Sequence, residues 1–184
     1  MKATFAIALL CGFACTALAQ NPGRTVRKTL DRPAVIQGFP CDKGYAWFYV
    51  GGALEKCTIT REMPYGEITI PAGSWITLLP DGRPWGVQMS HDAPVLGLQC
   101  AGGSFLGPSE GSIVALYPSG KLKECFLAGD QIVQGVPCAD GGFFASMSGI
   151  HPNVDFYESG KLKGCKLSKD YGPQKRGERF QQAP

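Results

Sequence analysis

A short motif that recurs along the chain constrains the fold more than any other feature. Residues 117–127 read YPSGKLKECFL, and residues 157–167 read YESGKLKGCKL. The segment 49–59 keeps the same Tyr, Gly, Leu and Cys spacing, and 79–89 keeps the glycine with Leu and Val at the Tyr and Cys positions. Recurrence of this kind is typical of repeat proteins, whose units bury their apolar faces by stacking. We therefore expect about four copies of one supersecondary unit.

An apolar segment precedes each copy of the motif and belongs to the same unit. Each complete unit would contain an apolar strand that ends near Pro-Cys, a second strand that ends at the Tyr, a glycine turn, and a third strand that carries another Cys. The four upstream segments are Ile36–Cys41, Ile68–Ala72, Val95–Cys100 and Val133–Cys138.

The unit predicts an all-β fold. A Ser-Gly or Asp-Gly pair between extended segments supplies the positive φ that a tight hairpin needs. The 25 Gly and 14 Pro residues recur too often for long helices. We predict about four β-hairpin or meander repeats that form a twisted antiparallel sheet or a partly closed barrel, stapled by three disulfides.

The start of the chain predicts export. Lys2, an apolar run over 5–13 and a small-x-small sequence that ends at Ala19 are the parts of a secretory signal peptide. The apolar run is shorter than a helix that spans a bilayer. We predict a signal peptide over 1–19 and a periplasmic or secreted protein, and the alternative is a lipoprotein anchored at Cys15.

Charge and periodicity divide the remaining chain. Segments 20–34 and 172–184 are basic and without periodicity, so we expect flexible arms that could touch a membrane surface. The chain has 18 basic and 15 acidic residues, and removal of the signal peptide takes away one basic residue, Lys2. The remaining charges are too evenly balanced to favour binding to nucleic acid. A single β-repeat domain is predicted over 35–171, with repeats at about 35–60, 67–90, 94–128 and 131–168.

The cysteines predict both a disulfide count and a pairing. Six remain after the signal peptide, which indicates three disulfides in an exported chain. The degenerate copy lacks both cysteines and has Ala72 and Val87 in their places. Pairing within each copy therefore leaves no cysteine without a partner. In a flat three-strand meander, the first and third strands, which carry the two cysteines, lie about 9–10 Å apart. This distance is beyond the reach of a disulfide unless the first cysteine lies in a segment that folds back over the sheet, or the sheet is strongly twisted. The predicted pairs are Cys41–Cys57, Cys100–Cys125 and Cys138–Cys165.

Two insertions predict a binding surface. The distance from the first Cys to the Tyr is nine and eleven residues longer in the third and fourth copies than in the first. Equivalent insertions in stacked repeats emerge on one side, which is often the binding side. The alternative is that their apolar residues close one end of the sheet. The predicted binding residues are Phe105, Leu106, Phe143, Phe144, Met147 and Ile150. Trp47, Trp75 and Trp85 are expected in the core, and the alternative is that they form a ligand platform.

Catalytic patterns are scarce in this sequence. It contains no Gly-x-Ser-x-Gly elbow, no His-Glu-x-x-His and no Cys-x-x-Cys, and it has only two histidines. We predict no catalytic residue, no metal site and no cofactor, with His91 as a solvated loop residue. The alternative hydrolytic group is His151 with Ser146, Ser148 or Asp155.

The Tyr-x-x-Gly-x-Leu pattern at 117–122 and 157–162 resembles MORN-type repeats, including the bacterial variety in antitoxin-like proteins. The resemblance implies β-hairpin repeats that stack into an extended, twisted sheet, and a scaffold for protein or lipid contact without catalysis. This chain departs from that family in its paired cysteines, its long insertions and its export signal, which argues against an intracellular antitoxin role.

These features favour an exported, non-catalytic binding module of the bacterial cell envelope. Its partner is expected to be a protein or envelope component, bound through the insertion loops or a sheet face. One alternative is a small secreted hydrolase or enzyme inhibitor. Another is a structural envelope component that stacks edge to edge through its outer strands.

Overall fold

The computed structural model describes residues 24–103, 113–140 and 153–184. This part of the chain is all-β and contains no helix, which confirms the predicted fold class. No described segment is a helix long and apolar enough to cross a membrane. The predicted signal peptide lies outside the described residues.

The strands are β1 (Thr25–Leu30), β2 (Ala34–Ile36), β3 (Phe39–Tyr49), β4 (Leu54–Ile59), β5 (Met63–Tyr65), β6 (Ile68–Ile70), β7 (Trp75–Leu78), β8 (Pro84–Gln88), β9 (Ala93–Val95), β10 (Leu98–Cys100), β11 (Ile113–Leu116), β12 (Leu122–Phe126), β13 (Gln131–Val133), β14 (Val136–Cys138), β15 (Asn153–Phe156), β16 (Leu162–Lys166) and β17 (Arg179–Gln181).

One large antiparallel sheet organises the fold. Its strand order is β1-β3-β4-β7-β8-β11-β12-β15-β16-β17, and β2 pairs with the start of β3. The sheet is open, since β1 and β17 lie at its opposite edges. Of the two forms predicted, the structure is therefore the antiparallel sheet. Because successive strands alternate in direction, β3, β7, β11 and β15 all begin at the same end of the sheet, that is, on the same side across the strand direction.

The glycine motif forms the same turn in each of four hairpins. In the first, Tyr49 N–H donates to Ala53 O and Gly52 N–H donates to Tyr49 O, both at 2.8 Å. The turn glycines have φ between 81° and 87°, and a register shift follows each turn. This is the three-residue hairpin loop with a bulge at the left-handed glycine. The equivalent turns begin at Leu79, Tyr117 and Tyr157.

The motif's tyrosines connect three of the four hairpins to the chain that follows them. Tyr49 Oη donates to Leu78 O at 2.7 Å, and burial raises the pKa of this phenol. Leu79 occupies the tyrosine position in the second hairpin and has no hydroxyl to donate. These bonds explain why the motif carries Tyr rather than Phe. The equivalent bonds are Tyr117 Oη to Phe156 O at 2.9 Å and Tyr157 Oη to Gln182 O at 2.8 Å.

Four small hairpins form a second layer over one face of the large sheet. They are β2 with the start of β3, β5–β6, β9–β10, and β13–β14. Their inward side chains join the core with alternate residues of the sheet, as strand alternation requires. The core lies between the two layers, and its members from the hairpins include Ile68, Ile70, Val95, Val133 and Val136, against Leu54, Ile76, Val87, Val114, Leu122 and Leu162 from the sheet.

All three predicted disulfides are confirmed. They are Cys41–Cys57, Cys100–Cys125 and Cys138–Cys165, with Cα–Cα distances of 5.6 to 6.0 Å. Each first cysteine ends a small hairpin and pairs laterally with the residue two positions beyond its partner. The small hairpin thus folds back to the third strand, which brings the two cysteines within reach. The lateral pairs are Cys41–Ile59, Cys100–Leu127 and Cys138–Leu167.

The degenerate second copy aligns differently from the prediction. The outermost pair of its small hairpin is Met63–Ile70, equivalent to the pair that Cys41 makes with Ala34 in the first copy. Ile70, and not Ala72, therefore occupies the first cysteine position. Ile70 and Val87 are both fully buried. The copy also begins earlier than the predicted residue 67.

A strand lies within each segment that was predicted to be a flexible arm, so that prediction is wrong for the paired residues. Thr25–Leu30 pairs along β3, and Arg179–Gln181 pairs with β16. Both segments are polar and lack periodicity, but an edge strand needs only a neighbour with unpaired backbone groups. The predicted domain of 35–171 is accordingly extended at both ends.

Candidate functional site

The predicted binding patch lies outside the described residues. Phe105, Leu106, Phe143, Phe144, Met147 and Ile150 all fall in segments 104–112 and 141–152. The residues that precede these segments are described and have matching anchors. Asp92 Oδ1 accepts from Gly102 N–H at 2.9 Å, and Asp130 Oδ1 accepts from Asp140 N–H at 3.0 Å. The strands that follow these two segments, β11 and β15, begin at the same end of the large sheet.

The tryptophans are not in the core, contrary to the prediction. Trp47 and Trp75 are partly exposed on the face of the large sheet away from the small hairpins, which we call the outer face. Their neighbours Ala46 and Ile76 point into the core and are fully buried. Strand alternation therefore sends both indoles outward. Trp85 lies in the bulge after the second turn and is 45% exposed.

Three aromatic rings form a continuous row on the outer face. The ring centroids of Tyr45 and Trp47 are 6.2 Å apart, and those of Trp47 and Trp75 are 5.3 Å apart. Both pairs are edge-to-face, with interplanar angles of 63° and 61°. Tyr45 is 50% exposed and lies near the end of the sheet where β7, β11 and β15 begin. The row crosses from β3 to β7.

Two cations lie against these rings. The Arg27 guanidinium is 4.3 Å from the Tyr45 ring centroid. The Lys56 ammonium is 5.1 Å from the Trp75 ring and 5.9 Å from the Trp47 ring. Register explains the arrangement, since Trp47 is the direct cross-strand partner of both Arg27 and Lys56. We call Arg27, Tyr45, Trp47, Lys56 and Trp75 the aromatic strip.

Later strands carry charged residues of both signs in the same row of the outer face. Glu124 is the cross-strand partner of Asp155, and Arg179 of β17 makes an ion pair with Asp155. Burial raises the pKa of Asp155, Glu124 adds to the rise, and Arg179 opposes it. The outer face therefore carries cations with aromatic rings toward β1, and toward β17 it carries two carboxylates with Arg179 and Lys163 close to Asp155.

A groove opens on the side of the small hairpins. It has a volume of about 370 Å³ and lies between the β9–β10 and β13–β14 hairpins and the turns at Lys121 and Gly160. Leu96 and Ile132 on its lips are 53% and 60% exposed. Its wall contains Gln134, whose carboxamide accepts from Leu162 N–H at 3.0 Å and donates to Gly160 O at 2.8 Å.

The described residues hold one serine–histidine contact. Ser90 Oγ lies 3.0 Å from His91 Nδ1 and 2.8 Å from Ala72 O. Since the Ser90 hydroxyl donates to the Ala72 carbonyl, its hydrogen is not directed at Nδ1 as a general-base arrangement requires. The alternative hydrolytic group stays a prediction, because His151, Ser146 and Ser148 lie outside the described residues.

Within the described ranges, no three or more His, Cys, Asp or Glu side chains gather as a metal site would require. The core position predicted for Trp47 and Trp75 is wrong, although period-two alternation around Ala46 and Ile76 was a signal that both indoles face outward. No protein-family model matches the chain. No curated protein and no solved structure matches it either.

Proposed function

We propose that this protein is an exported, non-catalytic binding module that docks its ligand on the aromatic strip. The observation that carries the proposal is the row of three rings with two interleaved cations on the outer face. Large aromatic side chains dominate the energetics of binding surfaces, particularly together with Arg.

The position of the strip supports a role in binding rather than in folding. Trp47 and Trp75 lie across the sheet from the buried core, which is complete without them. Amphipathic aromatic rings that stay partly wet on a rigid scaffold supply contact area at little cost in conformational entropy. The large sheet is such a scaffold, because three disulfides and the tyrosine bonds between hairpins restrict its movement.

Other features agree with an exported module. Three disulfides are typical of proteins in an oxidising, extracellular or periplasmic compartment. A signal peptide over residues 1–19 would deliver the chain there. The resemblance to MORN-type repeats favours a scaffold for contact, and the Ser90–His91 geometry does not favour a hydrolase.

Co-sedimentation with washed cell-envelope fragments from the producing cells tests this function. We expect the wild-type protein to sediment with the fragments, and the Tyr45→Ser, Trp47→Ser double variant to remain in the supernatant. Trp85→Ser is the matched control, because it removes an exposed indole outside the strip. A folded double variant that sediments as fully as wild type would contradict the proposal.

A further inference from the structure

We infer that the groove between the β9–β10 and β13–β14 hairpins binds an extended, uncharged peptide segment that pairs antiparallel with β13. This inference goes beyond the proposed function, because the groove opens on the side of the small hairpins and the aromatic strip lies on the opposite side of the large sheet. Three features of the groove carry it: a free strand edge, an apolar floor and a balance of charge.

The free edge belongs to Ile132, in the middle of β13. Val133 and Val136 close a two-residue turn, so the next pair, Ile132 with Pro137, is the one without hydrogen bonds between its members. The backbone groups of this pair point away from the hairpin, and Pro137 O accordingly accepts from Ser168 N–H at 2.9 Å. The N–H and C=O of Ile132 point to the other side, and within the described residues neither has a hydrogen-bond partner.

The neighbour on that other side is β10. The Gln131 carboxamide accepts from Gln99 N–H at 2.9 Å and donates to Gln99 O at 2.8 Å. One amide group of a side chain thus bonds both backbone groups of a β10 residue, as the peptide groups of an adjacent strand would. The groove opens one residue further toward the hairpin turns, beside Ile132.

Proline occupies the equivalent edge position in the two middle copies. Pro64 in β5 and Pro94 in β9 stand where β13 has Ile132, as their pairs with Thr69 and Gln99 show. Proline has no N–H to donate, and it is one of the residues that protect edge strands from further pairing. The strand that borders the groove therefore keeps a donor that β5 and β9 lack.

The floor of the groove accepts apolar side chains. Leu122, Val133 and Phe156 line it and are otherwise buried, while Leu96 and Ile132 form its exposed lips. In a strand paired with Ile132, the residues on either side of the paired one would point to the same side as Val133, toward this floor. The volume of about 370 Å³ is within the range of ligand-binding clefts.

The charges at the groove favour an occupant without net charge. One carboxylate, on Glu67, and one ammonium, on Lys121, line it. Each follows a turn glycine, and these two glycines, Gly66 and Gly120, approach each other closely, so the opposite charges lie at the same end of the groove and oppose each other. An acyl chain with a carboxylate would gain little there and would leave the backbone groups of Ile132 unpaired, whereas a peptide pairs with both.

Titration followed by nuclear magnetic resonance tests the inference on disulfide-intact protein. The probe is the acetylated and amidated pentapeptide TVTVT, whose valines can face the floor. We expect saturable shifts of the amide signals of Leu98 and Val133 in the groove wall. The same peptide with an N-methyl group on every threonine lacks the N–H groups that face β13 in antiparallel pairing, so it should bind about tenfold more weakly. Sodium decanoate should not displace the pentapeptide.

Variants at position 132 separate the backbone from the side chain. Ile132→Pro removes the N–H and should weaken binding about tenfold, and Pro94 shows that the hairpin accepts proline at this position. Ile132→Ala keeps the N–H and should weaken binding less than about threefold, because the side chain is 60% exposed. Val35→Pro makes the same change in the β2 hairpin and should leave binding at the groove unchanged.

Four outcomes would overturn the inference: no shifts at Leu98 and Val133, equal binding of the two peptides, equal losses in Ile132→Pro and Ile132→Ala, or displacement of the pentapeptide by decanoate. If Ile132→Pro does not fold, the comparison of the two peptides on the wild-type protein decides. Sedimentation with envelope fragments measures the aromatic strip separately, so failure at the groove leaves the proposed function intact.

Discussion

The second copy of the repeat unit has the same backbone arrangement as the other three copies. It differs in the contacts that hold the small hairpin to the large sheet, which we call fastenings. The first, third and fourth copies join the small hairpin to the large sheet with a disulfide. The second copy has Ile70 and Val87 at those positions, both fully buried. The turn and the register shift are nonetheless the same in all four. Apolar packing can therefore replace a covalent bond without a change of fold.

A second fastening differs between the copies in the same way. In the first and fourth copies, a glutamine at the small-hairpin turn accepts from a main-hairpin N–H, Gln37 from Leu54 and Gln134 from Leu162. The second copy has Pro84 at the position of Leu54, as its pairing with Leu78 shows. Proline has no N–H to satisfy, so the missing glutamine leaves no unpaired donor there.

The comparison teaches which parts of the unit are interchangeable. The turn glycine and the alternation of buried residues recur in every copy, while the disulfide, the glutamine and the tyrosine are each missing from at least one. We therefore expect each fastening to add stability to a hairpin whose geometry is already determined by the turn and the core.

The largest effect should come from exchanging the two kinds of fastening. Cys138→Ala with Cys165→Ala should lower the free energy of unfolding by about 3.5 kcal/mol, because the bond closes a loop of 27 residues. Cys138→Ile with Cys165→Val installs the second copy's pair and should recover part of that loss by filling the void. Urea denaturation followed by tryptophan fluorescence measures both. If the Ile/Val variant were no more stable than the Ala/Ala variant, packing would not be the substitute that the second copy suggests.

A smaller effect is expected from the glutamine. Gln134→Leu should cost about 1 kcal/mol, because Leu162 N–H and Gly160 O both lose a partner. Leu96→Ala is the matched control, since Leu96 has the same turn position and the same positive φ but no carboxamide, and it should change stability by less than about 0.5 kcal/mol. Equal losses in the two variants, measured by the same denaturation, would show that the side chain acts only through the turn.

The smallest effect should be a pH dependence that the fourth copy has and the second lacks. Asp155 occupies the position of Thr77 in the second copy. Because burial raises the folded-state pKa of Asp155, its contribution to stability is present below the unfolded pKa and is lost as pH rises through the folded value. Relative to wild type, Asp155→Asn should therefore gain stability as pH rises above the unfolded value of about 4, by less than about 1 kcal/mol.

Thermal unfolding of both proteins across that range checks the sign. Thr77→Ser is a control that adds no titrating group, and its difference from wild type should not change with pH. A relative loss for Asp155→Asn as pH rises would mean that the Arg179 ion pair outweighs the burial of the carboxyl.

Much of the fold followed from local rules, and much of the candidate site did not. Glycines such as Gly120, at the spacing of a hairpin loop, predicted the turns, and the copy without cysteines predicted the disulfide pairs. The aromatic strip was missed because tryptophan is usually buried, and that preference outweighed the alternation around Ala46 and Ile76. The two edge strands were missed because polar segments such as Thr25–Leu30 carry no periodic signal.

The amino-acid sequence by itself determined the all-β class, the hairpin turns and the partner of each of the six disulfide-bonded cysteines, because these depend on residues within one unit. Only the tertiary structure decided which polar segments become edge strands and where the outer face gathers its rings. Arg27, Trp47 and Lys56 lie on three different strands and meet only through the pairing of those strands. Cross-strand register is a long-range property, so no local pattern along the chain could place them together.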